Sequence, residues 1–400
     1  MKKVLAVIIL VSLLAATIIV IGFTRDQTDR TQEIPKLLWK KKVVGTFDEF
    51  AGVTVVNKTV YTVGKTMDNA PVTALEAETG EIIWQTEVGS CDSTPMIVDN
   101  RLFVINCMWD DFTVRDVDQP VDKERIWCLN KEKGTVIWFN DSVLPDGGGP
   151  VSSAPAKNRI FACSTKDIYA KKPIGRVQSF RSDNGGLVWT SSYVGASTGG
   201  IFFENRYIVS GTNKLAAYDA DNGERIWANK EIKSWDSLPV VAKDGVLYIG
   251  GGYGKLPLTL FAVNPNNGDT LWSWRAENNR ELTLTTPVIH NEKVYFGGYS
   301  NLYCVDLKTH SLVWKRGGGG EGPYSTPVIA NEIIYYGSTT LEEGEPDYIF
   351  ARDIDTGNLI WKYEIDTTGR LQGIFSQPTI SNNRLYFTAD DGYLRCFSIP

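Results

Sequence analysis

Eight times along this chain an aliphatic pair or near-pair runs directly into a tryptophan, at Trp39, Trp84, Trp138, Trp189, Trp227, Trp272, Trp314 and Trp361. The intervals are 45, 54, 51, 38, 45, 42 and 47 residues, a period that marks an array of supersecondary units. Units of this kind bury their cores against each other and behave as one domain whatever their number. A length of 400 residues therefore does not imply two or three domains.

The sixth unit displays the internal order most cleanly. It reads Thr286-Pro287-Val288-Ile289, then Lys293-Val294-Tyr295-Phe296-Gly297-Gly298, then Asn301-Leu302-Tyr303-Cys304-Val305-Asp306, then Ser311-Leu312-Val313-Trp314. These are four short runs, A to D, rich in β-branched and aromatic residues and separated by Asn, Asp and Gly. That pattern predicts an antiparallel meander. The turn between C and D carries Gly80, Gly223 or Gly357 where the chain needs positive φ before it re-enters the ladder. In the sixth unit His310 stands there instead, a residue expected to tolerate that conformation only at some cost.

The stretch Ala217-Tyr218-Asp219-Ala220-Asp221-Asn222-Gly223-Glu224-Arg225-Ile226-Trp227 resembles the tryptophan-docking motif A-x-D-x-x-T-G-x-x-x-W of the PQQ-like, or quinoprotein-type, β-propeller family. Comparable stretches span 74–84, 128–138, 179–189, 262–272, 304–314 and 351–361. The resemblance implies an all-β fold, an eight-bladed β-propeller of four-stranded antiparallel blades. It also implies that each indole packs between the small first residue of one motif and the glycine-bearing region of a neighbour. The eighth copy is split: Cys396-Phe397-Ser398-Ile399-Pro400 supplies its beginning and Leu37-Leu38-Trp39 its end. Residues 37–44 are thus expected to close the last blade with 371–400, making 37–400 one propeller without free sheet edges. All eight tryptophans are assigned to docking.

Residues Val4 to Phe23 form an unbroken run of apolar or small residues preceded by Lys2 and Lys3. At about 1.5 Å per residue it spans about 30 Å of hydrocarbon. Residues 1–23 are read as an N-terminal transmembrane helix or signal-anchor, and 24–36 as a linker. The lysines would stay cytoplasmic, placing the propeller outside, periplasmic or extracellular. A cleaved signal peptide, giving a secreted propeller, is the rival reading. Against cleavage, the run exceeds a usual signal core and no A-x-A-like site follows it at Gly22-Phe23-Thr24.

Net charge is −6 with both signs interspersed, so no basic stripe invites nucleic acid. Of six cysteines, Cys128, Cys304 and Cys396 occupy the small first position of the motif and Cys163 falls on a strand B, which makes all four small buried residues. For Cys91 and Cys107, flanking the A–B hairpin of blade two, a disulfide and two free thiols both stay open. The two histidines, His290 and His310, fall in A–B and C–D turns, which share one end of a meander ring.

The long insertions fall at the opposite end, in the B–C connections and the D–A crossings, where binding usually resides. Candidate partner or ligand contacts are Trp109, Asp110, Asp111, Trp235, Tyr253, Tyr299 and Tyr324. The acidic runs around Asp110 and Glu342 lack the loop glycine and terminal Glu of an EF-hand and read as solvated loops with no metal. Because strand D of the closing blade starts at the C–D end, this loop-bearing face is expected to point away from the membrane.

Three functions follow. The first is a non-catalytic, monomeric scaffold that binds protein partners in the cell envelope and takes no cofactor. It is similar to the PQQ-like propellers that serve as interaction platforms, including the lipoprotein subunit of the outer-membrane β-barrel assembly machinery. The chain departs from that type at its N-terminus, its first cysteine being Cys91. The second is a ligand or carbohydrate sensor. The third is a quinoprotein dehydrogenase, for which the resemblance implies pyrroloquinoline quinone, Ca²⁺, a catalytic Asp and, in many members, adjacent cysteines; no position here matches the last two.

Overall fold

Strands form wherever the β-rich runs of the repeat occur, and they assemble into eight antiparallel sheets in the computed structural model. It describes residues 34–43, 49–50, 52–65, 71–89, 94–106, 125–143, 152–154, 158–166, 174–194, 197–234, 240–241, 244–252, 257–277, 285–298, 300–317, 322–339, 346–365 and 373–400. Blades one to seven run 49–87, 96–140, 152–194, 197–229, 240–275, 288–317 and 328–365. Each is a meander in the order A-B-C-D; in blade one, strand A comes in two pieces, Glu49–Phe50 and Thr54–Val56, both paired with Thr59–Lys65. Blade eight takes strands A to C from Thr379–Ser381, Arg384–Ala389 and Tyr393–Ser398, and strand D from Lys36–Lys42. Both ends of the propeller therefore meet in one sheet, with Trp39 opposite Cys396.

The core is a cycle of eight apolar slabs, one between each pair of adjacent blades. Val60 and Leu75 of blade one pack on Tyr386, Leu394 and Cys396 of blade eight, and blades one and two share Val63, Val72, Leu102 and Val104. The middle strands B and C are covered on both faces, which is why they read as continuous apolar runs such as Leu102-Phe103-Val104-Ile105. Strand D alternates between exposed and half-buried because it is the outer edge.

A β-bulge lies in strand D of every blade, and it explains the aliphatic residue before each tryptophan. Trp84 faces Ala74 while Ile82 faces Leu75, leaving Ile83 as the extra residue. The same offset recurs at Leu38, Ile137, Val188, Ile226, Leu271, Val313 and Ile360. Bulges twist an edge away from pairing with another chain. They also turn most of these aliphatics outward, Ile83 to 53% exposure and Leu38 to 46%, while Val188 and Ile360 stay half-buried against the core.

Six of the eight tryptophans, Trp39, Trp84, Trp138, Trp189, Trp227 and Trp314, lie over a turn glycine of the next blade. Each stands opposite the small first residue of its own motif, as Trp227 does opposite Ala217. In six blades the indole N–H reaches a carbonyl in the next blade's C–D turn, Trp39 to Ala77, Trp84 to Lys131 and Trp189 to Ala220 at 3.1 Å, Trp227 to Pro265 at 3.0 Å, Trp314 to Ile354 at 3.2 Å and Trp138 to Ser182 at 3.3 Å, whereas Trp272 stacks on His310 and Trp361 packs on Phe397. Gly80 lies beneath the Trp39 ring with φ of 74°, and a Cβ there would sit 2.7 Å from the indole. Glycine is required twice over, for conformation and for space. His310 adopts φ of 55° and stacks its imidazole on Trp272 at 4.1 Å, so its conformational cost is offset by a ring contact.

Cys128, Cys163, Cys304 and Cys396 are buried and unbridged. Burial pushes the thiols of Cys128 and Cys304 up to about 12 and that of Cys396 up to about 11. Cys91, Cys107 and the apolar run Val4 to Phe23 lie outside the described residues. Among those described, no helix is long and apolar enough to cross a membrane.

Candidate functional site: the loop-bearing end of the ring

The meander places A–B and C–D turns at one end and the B–C and D–A connections at the other. The turn end is short and self-satisfied. Asp219 Oδ1 accepts the N–H groups of Asp221 and Asn222, and Asp306 and Asp353 cap their own turns in the same way. His290 closes an A–B hairpin there, its ring 3.7 Å from Glu332 of blade seven.

Of the seven residues expected to form a contact face, Trp109, Asp110, Asp111, Trp235, Tyr253 and Tyr299 lie outside the described residues. Tyr324 is described. It lies in the D–A crossing of blade seven, half-buried, with its ring edge-on to Phe375 of blade eight at 5.6 Å. It thus helps to seal the joint between two blades.

The neck of the longest B–C connection, in blade two, is described on both sides. Asn106 is fully buried, and its Oδ1 accepts the Arg125 N–H at 2.7 Å and the Trp127 indole N–H at 3.0 Å. The Asn106 N–H donates back to the Arg125 carbonyl. Arg125 in turn bonds Asp141 at 2.7 Å and lies 4.6 Å from the centre of the Phe139 ring. The described residues on either side of positions 107–124 are thus held by a buried amide and a cation–aromatic stack. Trp127, outside the docking repeat, serves this neck.

A second device was legible but unread. Thr285, Ser325 and Ser376 each precede a proline by two residues, and all three are buried where strand A begins. Thr285 Oγ1 accepts the N–H of Gly297 at 2.7 Å and Ser325 Oγ that of Gly337 at 2.7 Å, while Ser376 bonds Thr388. The ends of strands A and B are pinned together by side chains. The next blade's crossing lies directly above: a Cβ on Gly297 would meet Pro323 at 2.1 Å, and one on Gly337 would meet Ile374 at 2.3 Å.

Two charged features complete this end. In blade eight the B–C connection is a tight turn, and Asp391 holds the buried Arg395 through both guanidinium nitrogens, with Lys40 of strand D 3.7 Å away. In blade four Lys214 is buried in the B–C turn; burial lowers its pKa, helped by the positive charges of Arg225 and Lys230. Among the described residues no three His, Cys, Asp or Glu side chains come together to hold a metal.

Comparison with known proteins places this geometry. The family model described as outer membrane protein assembly factor BamB matches residues 35–244 and 200–363. The outer membrane protein assembly factor BamB of Shewanella oneidensis is 23% identical over 368 residues, covering 88% of this chain and 71% of that protein. A tetrathionate hydrolase of Acidithiobacillus ferrooxidans is 25% identical over 259 residues, covering 59% of this chain; the chain spans only 48% of its length. The crystal structure of a quinohemoprotein alcohol dehydrogenase from Comamonas testosteroni superposes with a TM-score of 0.63 at 13% identity, covering 92% of this chain and 78% of that one, a likeness of fold alone.

Proposed function

This chain belongs to the family of outer membrane protein assembly factor BamB, and from that premise we propose that it is a non-catalytic scaffold that binds protein partners in the cell envelope. The propeller works outside the cytoplasm, tethered by the apolar run Val4 to Phe23. The observation that carries this reading is the contrast built into the ring. Its blades are locked by repeated indole–carbonyl bonds, and the neck of its longest loop is held by Asn106, Arg125 and Trp127. A surface carried on a rigid ring loses less freedom on binding, which favours recognition of a macromolecular surface.

Site-specific photocrosslinking in intact membranes tests this. A photoreactive residue at Glu277, exposed at the loop-bearing end, should trap discrete protein partners. The same group at Lys133, in a C–D turn, should trap few. Equal trapping at both positions would remove the partner face. The dehydrogenase reading makes an opposite demand on the purified chain: saturable uptake of pyrroloquinoline quinone with Ca²⁺ and dye-linked alcohol oxidation. Either result would displace the scaffold reading.

A further inference from the structure

The residue that follows each docking tryptophan points outward from strand D. In blades one to five it is Gln85, Phe139, Thr190, Ala228 or Ser273, all uncharged; in blades six, seven and eight it is Lys315, Lys362 and Lys40. The three lysines are exposed. Each lies over a tyrosine of the adjoining strand C: Lys362 at 4.0 Å from the Tyr348 ring centre, Lys40 at 4.0 Å from that of Tyr393, and Lys315 at 6.0 Å from that of Tyr303. The aromatic faces hold the ammonium groups on the outer wall.

Blade eight concentrates the pattern. Its strand D reads Lys36-Leu37-Leu38-Trp39-Lys40-Lys41-Lys42, with Leu37 42% and Leu38 46% exposed. Lysines on an edge strand usually guard against pairing with another chain. Here that explanation falls short, because the bulge already protects all eight edges and five of them carry no lysine after the tryptophan. In a chain of net charge −6, strand D of blade eight carries four lysines and no acid, Lys40 lying 3.7 Å from Asp391 of the adjoining turn, with exposed aliphatic side chains beside these cations.

We propose that the outer wall of blades six to eight, centred on Lys36–Lys42, is a docking surface for an anionic lipid bilayer. Leucine side chains at the bulge enter the boundary between headgroups and acyl chains while lysines meet lipid phosphates, the combination that holds peripheral proteins to membranes. Charge complementarity and the exposed aliphatics argue for this occupant. So does sequence position: Lys36 follows the apolar run ending at Phe23 by thirteen residues. The ring then rests side-on, leaving its loop-bearing end open to partners. The inference rests on the envelope location proposed above but not on the partner face.

The test uses the full chain in nanodiscs of phosphatidylcholine, with and without phosphatidylglycerol. A photoreactive residue replaces Leu38 or, as control, Ile137, which occupies the same bulge position in blade two and is equally exposed. Lipid adducts are counted by mass spectrometry. Adducts at position 38 should rise at least about fivefold when phosphatidylglycerol is present, while position 137 should not respond. Lys36→Glu, Lys42→Glu and Lys362→Glu, all at exposed positions, should each reduce the adduct about fivefold, with unchanged circular dichroism. Equal labelling at 38 and 137, or indifference to lipid charge, would overturn the assignment. So would capture of a protein at position 38 in native membranes. Failure of partner capture at Glu277 would instead strike only the scaffold reading.

Discussion

The two ends of the ring are built from the same strands and obey different rules. At the turn end six of the eight joints solve one problem in one way: a glycine under an indole and the indole N–H on a carbonyl. At the loop end, apart from the Ser/Thr pin shared by blades six to eight, the solutions are individual: a buried amide in blade two, an Arg–Asp pair in blade eight, a buried lysine in blade four. Repetition marks the frame, and divergence marks the end where binding is proposed.

The sharpest way to break this contrast is at the frame. Trp227→Ala removes a buried indole and its bond to Pro265, and should cost about 3–5 kcal/mol, visible as early global unfolding in urea. Asn106→Ala leaves the Arg125 and Trp127 donors without their acceptor. It should cost about 1–3 kcal/mol, and hydrogen exchange should accelerate on strands flanking 107–124 with the turn end unaffected. An equal response at both ends would erase the distinction.

A smaller effect comes from the thiols in the frame. Burial raises Cys128 and Cys304 to about 12, so they are neutral in folded and unfolded chains alike below the ordinary thiol value near 9. Between about 9 and 12 only the unfolded thiols ionise, and stability is lost as pH rises through that window. The melting temperature should fall from pH 8 to pH 10.5, and Cys128→Ala with Cys304→Ala should flatten the slope. The least effect is expected from His310→Gly, which relieves positive φ but forfeits the stack on Trp272. The change should stay within about 1 kcal/mol by urea denaturation.

Most of the frame was legible because docking needs a small residue, a positive-φ turn and an indole at set spacing, and all three are written in residue types. The Ser/Thr that pins strands A and B was equally visible two residues before Pro287, Pro327 and Pro378, yet its meaning needs the partner N–H in space. The loop end was legible only as a location. Tyr324 shows why: an aromatic at a channel mouth reads as a ligand platform, while its ring edge packs on Phe375.

Sequence alone determined the number of blades, their strand order and the meeting of both ends in one sheet, because each follows from a local motif counted along the chain. Tertiary structure decided which way side chains face. The bulge turns Leu38 and most of its counterparts outward, and folding of blade eight buries Arg395 against Asp391. Lys40 joins the side of the ring that carries Lys315 and Lys362 only because the N-terminal strand completes blade eight. Register offsets and ring closure depend on contacts between residues far apart in the chain, and no periodicity in the sequence carries them.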